Sequence, residues 1–331
     1  NEAELHRLRT HVQEWFDQGN TLLHSFWFEE AERSFRWCLK LDPDCAMAYW
    51  GLARCGMNWF ASMGQADNPG LERYRDFLKE AVRRKGSVSE RERMYIEAWV
   101  AGFDAEVEKP GEVLTRRLQE LALKFPDDLE AKALYALFSI RSGAALGTEM
   151  VLREVFAAMP DHPGAHHYRI HNWDGVATEQ GLPSCARYGP AAPGIGHSNH
   201  MPGHNYTKLG MWHEAAISMD SATRVELAYM NERLALPFET WNFAHNRDYL
   251  CYIQEQLGME QAARLGARTM MDAPRNPQPE NEEGYETFMF GLNAFVRGLV
   301  KFERWDTILA KDSIPWRDEP TDQSAKAWVE T

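Results

Sequence analysis

The stretch Trp15–Pro43, WFDQGNTLLHSFWFEEAERSFRWCLKLDP, decides the fold of this chain. Within it Gly19, Ala31, Phe35 and Pro43 stand at the spacing of the tetratricopeptide repeat, a helical hairpin of about 34 residues. Small residues recur in such repeats because the two helices of a hairpin approach closely, and each hairpin buries its apolar face only against its neighbours. The stretch therefore predicts an all-α, tetratricopeptide-like, right-handed solenoid of helical hairpins.

The same register can be followed along the rest of the chain. It is degenerate in the middle, where Ser89 opens a helix with a capping-box pattern, and it returns at Gly203 and again at Gly258. We expect the 331 residues to form a single superhelical domain. Residues 274–284 are predicted to form an acidic surface loop, and residues 315–331 a polar C-terminal tail.

Composition and charge exclude several classes of function. The net charge of −13 argues against nucleic acid or an anionic membrane surface as a partner, because both are bound through basic patches. No apolar run approaches the roughly 18–20 residues of a membrane span. The five cysteines contain no CxxC pair, which argues against a cysteine-based zinc site. A cytoplasmic location is expected, although the chain lacks an initiator methionine and a leader could have been removed.

Histidines cluster between residues 166 and 204, and their spacing suggests metal ligands. Residues three or four apart share one face of a helix, so two imidazoles at that spacing can reach one ion. The donors at this spacing are His167 with His171, His197 and His200 with His204, and His245 with Asp248.

The repeat register adds a second argument for a metal site. It assigns His197, His200 and His204 to positions 2, 5 and 9 of a first helix, and His245 and Asp248 to positions 2 and 5 of the next unit. The first helices of tetratricopeptide hairpins line the concave face, and these positions are among those that face it. We therefore predict that the imidazoles bind a transition metal there. There are enough donors for two ions.

Four other polar residues have candidate roles near the predicted metal site or elsewhere in the fold. Asp174, three residues after His171, is a candidate base or an orienting partner of an imidazole. Glu97 lies within an otherwise apolar helix face and is a candidate buried acid or base. His24 could face the groove, whereas His162 is expected to be a loop residue.

Several segments resemble a bacterial family of tetratricopeptide repeat proteins. The most specific is the block His197-x-x-His200-Met201-Pro202-x-His204, and the resemblance covers about residues 10–270. It implies the same fold but no settled activity. Asp248 stands where the family often has His, and Asp174 where it often has Glu, which implies a changed metal or chemistry. The histidines marked as family positions are His167, His171, His200, His204 and His245.

The favoured interpretation is a metal-dependent enzyme. Mixed His and Asp donors without a cysteine favour iron or copper and oxygen-dependent oxidation of a small organic substrate. The groove would hold that substrate between tryptophans, namely Trp50, Trp59, Trp173 and Trp241. A zinc-dependent hydrolase or lyase, with Glu97 or Asp174 as base, is the first alternative.

The second alternative is a non-catalytic scaffold that binds a peptide or protein. Such grooves usually present Lys, Arg and Asn to the carboxylates of a partner. Here the comparable positions are mostly His, and the nearby cations are Lys208 and Arg247. The sequence therefore favours the enzyme over the scaffold.

Overall fold

The computed structural model describes residues 2–61, 68–104, 106–275, 287–310 and 313–316. This part of the chain is helical and contains no strand, so the predicted all-α fold is confirmed. Contacts divide the chain into two compact units, Asn1–Ala191 (unit 1) and Ala192–Thr331 (unit 2). The expectation of one continuous domain stays a prediction. Residues 276–284 of the predicted loop and 317–331 of the predicted tail lie outside the described residues.

Unit 1 is a stack of five helical hairpins, each formed by two consecutive helices that pack together. The first helices of the hairpins are α1, α3, α5, α7 and α9, and α1 also contacts α9. The ten helices are α1 Glu2–His24, α2 Phe28–Leu41, α3 Ala46–Gly56, α4 Glu72–Arg84, α5 Glu90–Gly102, α6 Pro110–Lys124, α7 Leu129–Ser139, α8 Ala145–Ala158, α9 Pro163–Trp173 and α10 Leu182–Ala191.

Unit 2 continues the hairpin pattern. Its first helices are α11, α13 and α15, and α13 packs against α11, α12, α14 and α15. The helices are α11 Gly196–Lys208, α12 Trp212–Arg233, α13 Trp241–Gln256, α14 Glu260–Met271, α15 Thr287–Lys301 and α16 Trp305–Leu309. The tetratricopeptide-like hairpin architecture predicted from the repeat spacing is therefore present in both units.

The close approach that the repeat spacing predicts is visible around Phe35. Its ring on α2 is fully buried and sits between Gly19 of α1 and Gly51 of α3. A methyl group added at Gly19 would lie 2.8 Å from the ring, and one added at Gly51 would lie 2.5 Å from it. Because carbon atoms do not pack that closely, only glycine allows three helices to meet on one aromatic ring.

Two further residues, Ser89 and Pro202, affect single helices. Ser89 caps α5 through the predicted capping box, in which its side chain accepts from the Glu92 N–H and the Glu92 carboxylate accepts from the Ser89 N–H. Pro202 lies inside α11, which begins at Gly196, so the missing N–H of the proline leaves one helical hydrogen bond unmade.

No helix in the described part of the chain has both the length and the apolarity that a membrane crossing requires.

Substitution of Gly51 by Ala tests the packing around Phe35. Overpacking of a tight core costs about 1–3 kcal/mol, which exceeds the gain of about 1 kcal/mol in helix propensity. We therefore expect Gly51→Ala to lower the free energy of unfolding, measured by urea denaturation. Gly86→Ala is the matched control, because a methyl group there meets nothing within 4 Å. Equal losses in the two variants would contradict this account.

Candidate metal centres

Three histidines of unit 2 converge on one point. His200 and His204 lie one turn apart on α11, and their Nε2 atoms are 2.7 Å from each other. His245 reaches the same place from α13, with its ring centroid 4.9 Å from that of His200 and 6.0 Å from that of His204. Each imidazole offers a nitrogen, and the three nitrogens lie within 4.8 Å of one another. One ion could therefore contact all three.

The helices hold this arrangement through close packing. α11 lies against α12 at two glycines: a methyl group at Gly196 would overlap Glu226, and one at Gly203 would lie 2.5 Å from Met219. At the start of α11 the Ser198 hydroxyl is buried and donates to the carbonyl of Ala192. The backbone that carries His200 and His204 is thus fixed before any ligand arrives.

The surroundings of the cluster favour neutral imidazoles. His200 is 2% exposed, whereas His204 and His245 are half-buried and open to solvent on one side. Burial lowers the pKa of His245 more than Asp248 raises it, so the imidazole is neutral near pH 7. The Tyr249 ring lies 5.1 Å from His204 and 5.9 Å from His245. Neutral imidazole is the form that binds transition metals.

Two predicted ligands of unit 2 are not part of this group. Asp248 pairs with Arg297, whose Nη1 lies 3.0 Å from the carboxylate, and Arg297 also donates to Glu255. The structure thus assigns Asp248 an ion pair between α13 and α15. The His197 ring stacks on His200 with centroids 5.5 Å apart and is buried.

Unit 1 holds a second histidine pair, His167 and His171 on α9, whose Nε2 atoms are 3.0 Å apart. The Nδ1 atom of His167 lies 2.6 Å from the carbonyl oxygen of His24. Because a carbonyl only accepts, Nδ1 carries the proton and Nε2 keeps its lone pair towards His171. A fixed outer hydrogen bond of this kind is what orients imidazoles that bind metals. His166, which precedes His167 in the chain, is not part of this pair. Its Nε2–H donates to the carbonyl of Pro160, and its Nδ1 contacts the hydroxyl of Ser184.

A third cluster in unit 1 joins His24, Glu130 and His162. The Nε2–H of His24 donates to the carboxylate of Glu130 at 2.5 Å, and the Tyr168 hydroxyl lies 2.7 Å from Nδ1 of the same ring. Asn20 also donates to Glu130. No sequence pattern marks Glu130 as a site residue, because its partners lie more than 30 residues away along the chain.

His162 lies in the loop before α9, as expected, but it is also the N-cap of that helix and is buried. Its Nδ1 accepts from the Ala165 N–H, and its Nε2 lies 3.3 Å from Glu130. In a neutral imidazole whose Nδ1 accepts, Nε2 carries the proton and has no lone pair for an ion. The third cluster is therefore a hydrogen-bonded network around a carboxylate, although its donor atoms are close enough together for a metal.

The network fixes the charges of its members. Burial lowers the pKa of His24 more than its contact with Glu130 raises it. Burial alone would raise the pKa of Glu130, but the contacts with His24 and His162 outweigh it and hold that pKa well below its usual range. Glu130 is thus an anion that is in contact with a neutral His24.

The two predicted acid–base residues lie away from the histidine clusters or at their edge. Glu97 is exposed and pairs with Lys85 at 3.2 Å, so the expectation of a buried carboxylate is wrong. It lies on the solvent side of α5, a helix whose apolar residues face the core on both sides of it. Asp174 is the half-buried C-cap of α9, three residues after His171.

Two of the four tryptophans that were predicted to line the groove have structural roles. Trp50 is buried against Tyr95 and Trp99, and Trp173 donates to the buried carboxylate of Glu149. Trp59 lies beside His171, with ring centroids 5.5 Å apart. The side chain of Trp241 lies outside the described part of the structure.

Comparisons with known proteins add similarity of fold without function. No family model matches the chain, and no curated protein matches it, so the resemblance to a bacterial family stays a prediction. Among solved structures, the TPR domain of P58(IPK) is 14% identical over 96% of this chain and 97% of that chain, with a TM-score of 0.28. The assembly chaperone of RpL4, Acl4, is 16% identical over 89% and 99%, with a TM-score of 0.34.

Yeast Tom70 is 11% identical, covers 97% of this chain and 95% of that chain, and has a TM-score of 0.31. These low scores carry no argument about activity, ligands or partners. The assignment of the fold rests on the helical hairpins themselves.

The His24–Glu130 pair predicts acid sensitivity. The pKa of His24 in the folded protein is below its ordinary value of 6.5, so its contribution to stability declines as pH falls below about 6.5. The pKa of Glu130 is well below 4.5, so its contribution is lost at still lower pH. Between pH 7 and pH 5 we expect the unfolding free energy to fall less in His24→Gln than in the wild type, by up to about 1.4 kcal/mol per pH unit.

Urea denaturation at several pH values measures this difference. The exposed His11 supplies the control variant His11→Gln, which should keep the pH dependence of the wild type. The same pH dependence in His24→Gln and in the wild type would contradict the assignment of His24 as a buried neutral base.

Proposed function

We propose that this chain is a metal-dependent enzyme whose metal ion is held by His200, His204 and His245. The observation that supports the proposal is the convergence of one nitrogen from each imidazole within 4.8 Å. The ligands come from α11 and α13, the first helices of neighbouring hairpins, so the hairpin stack itself sets their geometry. Three protein ligands leave a coordination position for water or substrate, as in catalytic rather than structural metal sites.

The burial of the cluster supports the same reading. His200 is almost completely buried, which removes water from the inner side of the site, while the half-buried His204 and His245 leave an approach from solvent. A purely structural metal site is normally closed by four protein ligands. An open three-ligand site on a fixed backbone suits binding and activation of a small molecule.

The choice of metal follows from the position of Asp248. Its carboxylate pairs with Arg297, which leaves three neutral imidazoles as the ligand set. Non-haem iron in oxygen-dependent enzymes usually has two histidines and a carboxylate, whereas sets of three imidazoles suit copper and zinc. We therefore place copper ahead of iron for oxidative chemistry on a small organic substrate. Zinc-dependent hydrolysis or elimination is the alternative.

Elemental analysis of the untagged full chain tests metal binding. We expect His200→Ala, His204→Ala and His245→Ala each to lose one equivalent of metal, with affinity at least about 100-fold weaker, because even outer partners of metal ligands are worth 10–100-fold. His213→Ala is the matched control, since that histidine is exposed on α12. Asp248→Asn should also retain the metal.

Absence of a stoichiometric transition metal in the wild type would overturn the proposal and leave a tetratricopeptide-like binding scaffold as the remaining interpretation. Retention of the metal in all three alanine variants would show that it binds elsewhere, and the His167–His171 pair would then be the next candidate.

Electron paramagnetic resonance of the copper-loaded protein tests the ligand set. Three imidazoles should give nitrogen hyperfine structure on the Cu(II) signal, and His245→Ala should change it while Asp248→Asn should not. A changed signal in Asp248→Asn would mean that the carboxylate leaves Arg297 to bind the ion. Purification of the protein with zinc alone would favour the hydrolytic alternative.

A further inference from the structure

A cavity of about 290 Å³ opens in unit 1, among the first helices of four successive hairpins. Its walls come from α1, α3, α5 and α7, and its volume is at the small end of the range for ligand sites. The lining includes three aromatic rings and three carboxylates. These are the side chains of Phe16, Trp50 and Tyr95, and of Glu92, Asp128 and Glu130.

Glu130 links this cavity to the buried histidine network. His24 and Asn20 donate to its carboxylate, and His162 lies 3.3 Å from it, so three side chains fix its position. Even so, 43% of the Glu130 side chain stays exposed, and the residue lines the cavity. A charge that is oriented in advance and still accessible is a recognition element for a cation, because no reorganisation is needed on binding.

The charged side chains that line the cavity are mostly acidic. Three carboxylates line it against one cation, Arg91, which is about half exposed and lies 3.7 Å from Asp128. Two of these carboxylates also have local roles: Asp128 is the N-cap of α7, and Glu92 completes the capping box of α5. Those roles fix these two carboxylates in place. A second cation, the buried Arg54, lies next to the cavity, over the Trp50 ring and bonded to Asn20, so the three carboxylates outnumber the cations around them by one.

The arrangement does not suit a metal ion. Among the described residues, Glu92, Asp128 and Glu130 do not form a group whose oxygens lie within 4.8 Å of one another, as the ligands of one ion must. Carboxylates spread around aromatic rings fit a larger cation whose charge is distributed, because aromatic faces attract such cations as well. The Trp50 indole N–H is buried without a hydrogen-bond partner in the described structure, so an oxygen on the ligand would satisfy it.

We propose that this cavity binds a small organic ammonium ion, such as an amino alcohol, between the rings of Phe16 and Tyr95 and the carboxylates of Asp128 and Glu130. The ammonium group contacts the carboxylates and the aromatic faces, and the ligand oxygen accepts from Trp50. This site lies in unit 1, where His24, Asn20 and His162 hold the Glu130 carboxylate in place for contact with the ligand. It is independent of the metal ligands proposed in unit 2.

Isothermal titration calorimetry of the full chain tests this proposal with three probes. Choline and ethanolamine carry quaternary and primary ammonium groups, and 3,3-dimethylbutan-1-ol is the uncharged counterpart of choline. We expect at least one of the two ammonium ions to bind and the uncharged alcohol to bind at least about tenfold more weakly, since a charge-assisted contact is worth that much. Absence of binding by both ammonium ions, or equal binding of the alcohol, would overturn the proposal.

Two variants test the assigned carboxylates. Glu130→Gln and Asp128→Asn should each weaken binding about tenfold or more. Asp128→Asn keeps a good N-cap for α7, so it preserves the fold even if Glu130→Gln disturbs the histidine network. Glu154→Gln is the control, because Glu154 is exposed on α8 and pairs with Lys132 outside the cavity. Wild-type affinity in Asp128→Asn and Glu130→Gln would refute the site.

Discussion

The contact of the Phe35 ring with Gly19 and Gly51 is the constraint on which the hairpin stack of unit 1 depends. The ring lies on α2 and touches α1, the first helix of its own hairpin, and α3, the first helix of the next hairpin. The distance between α1 and α3 is therefore set by one aromatic ring and two missing side chains. Both helices line the cavity of unit 1, and α1 carries His24, so this spacing helps to set the geometry of the cavity and of the His24–Glu130 network.

Two histidines of unit 1 differ in the hydrogen bond that their Nδ1 atom makes. His167 donates through Nδ1 to a carbonyl, which leaves the Nε2 lone pair for an ion. His162 accepts at Nδ1 from a backbone N–H, which places its proton on Nε2 beside Glu130. Both are buried, and both lie close to other donor atoms. Proximity alone would treat them alike, whereas the partner of the second nitrogen leaves His167 with the tautomer that a metal ligand needs and commits His162 to a carboxylate network.

This distinction also explains what the sequence could predict. The contacts of His167 with His171 and of His200 with His204 follow from a separation of four residues on one helix, so spacing was sufficient. Asp248 has the spacing of a ligand relative to His245, yet its partner is Arg297, 49 residues later on α15. No local pattern reports such a competitor. Glu97 was misjudged for a related reason, because an apolar run on a helix in a stack can surround one residue that faces solvent.

The two candidate sites differ in the kind of cation that their donors can select. In unit 2 the donors are neutral nitrogens, which carry no charge to attract a hard or bulky cation but form strong bonds to transition metals. In unit 1 the cavity offers carboxylate oxygens that are separated from one another and lie among aromatic rings. Such a lining attracts a cation whose charge is spread out, but its oxygens do not surround a single metal ion. Exchange of their ligands would leave each site unsatisfied, because three neutral imidazoles cannot balance an ammonium charge, and spread carboxylates cannot converge on one metal ion. The same hairpin architecture therefore presents two chemically distinct sets of donors, and the residues on its first helices determine which kind of cation each set would suit.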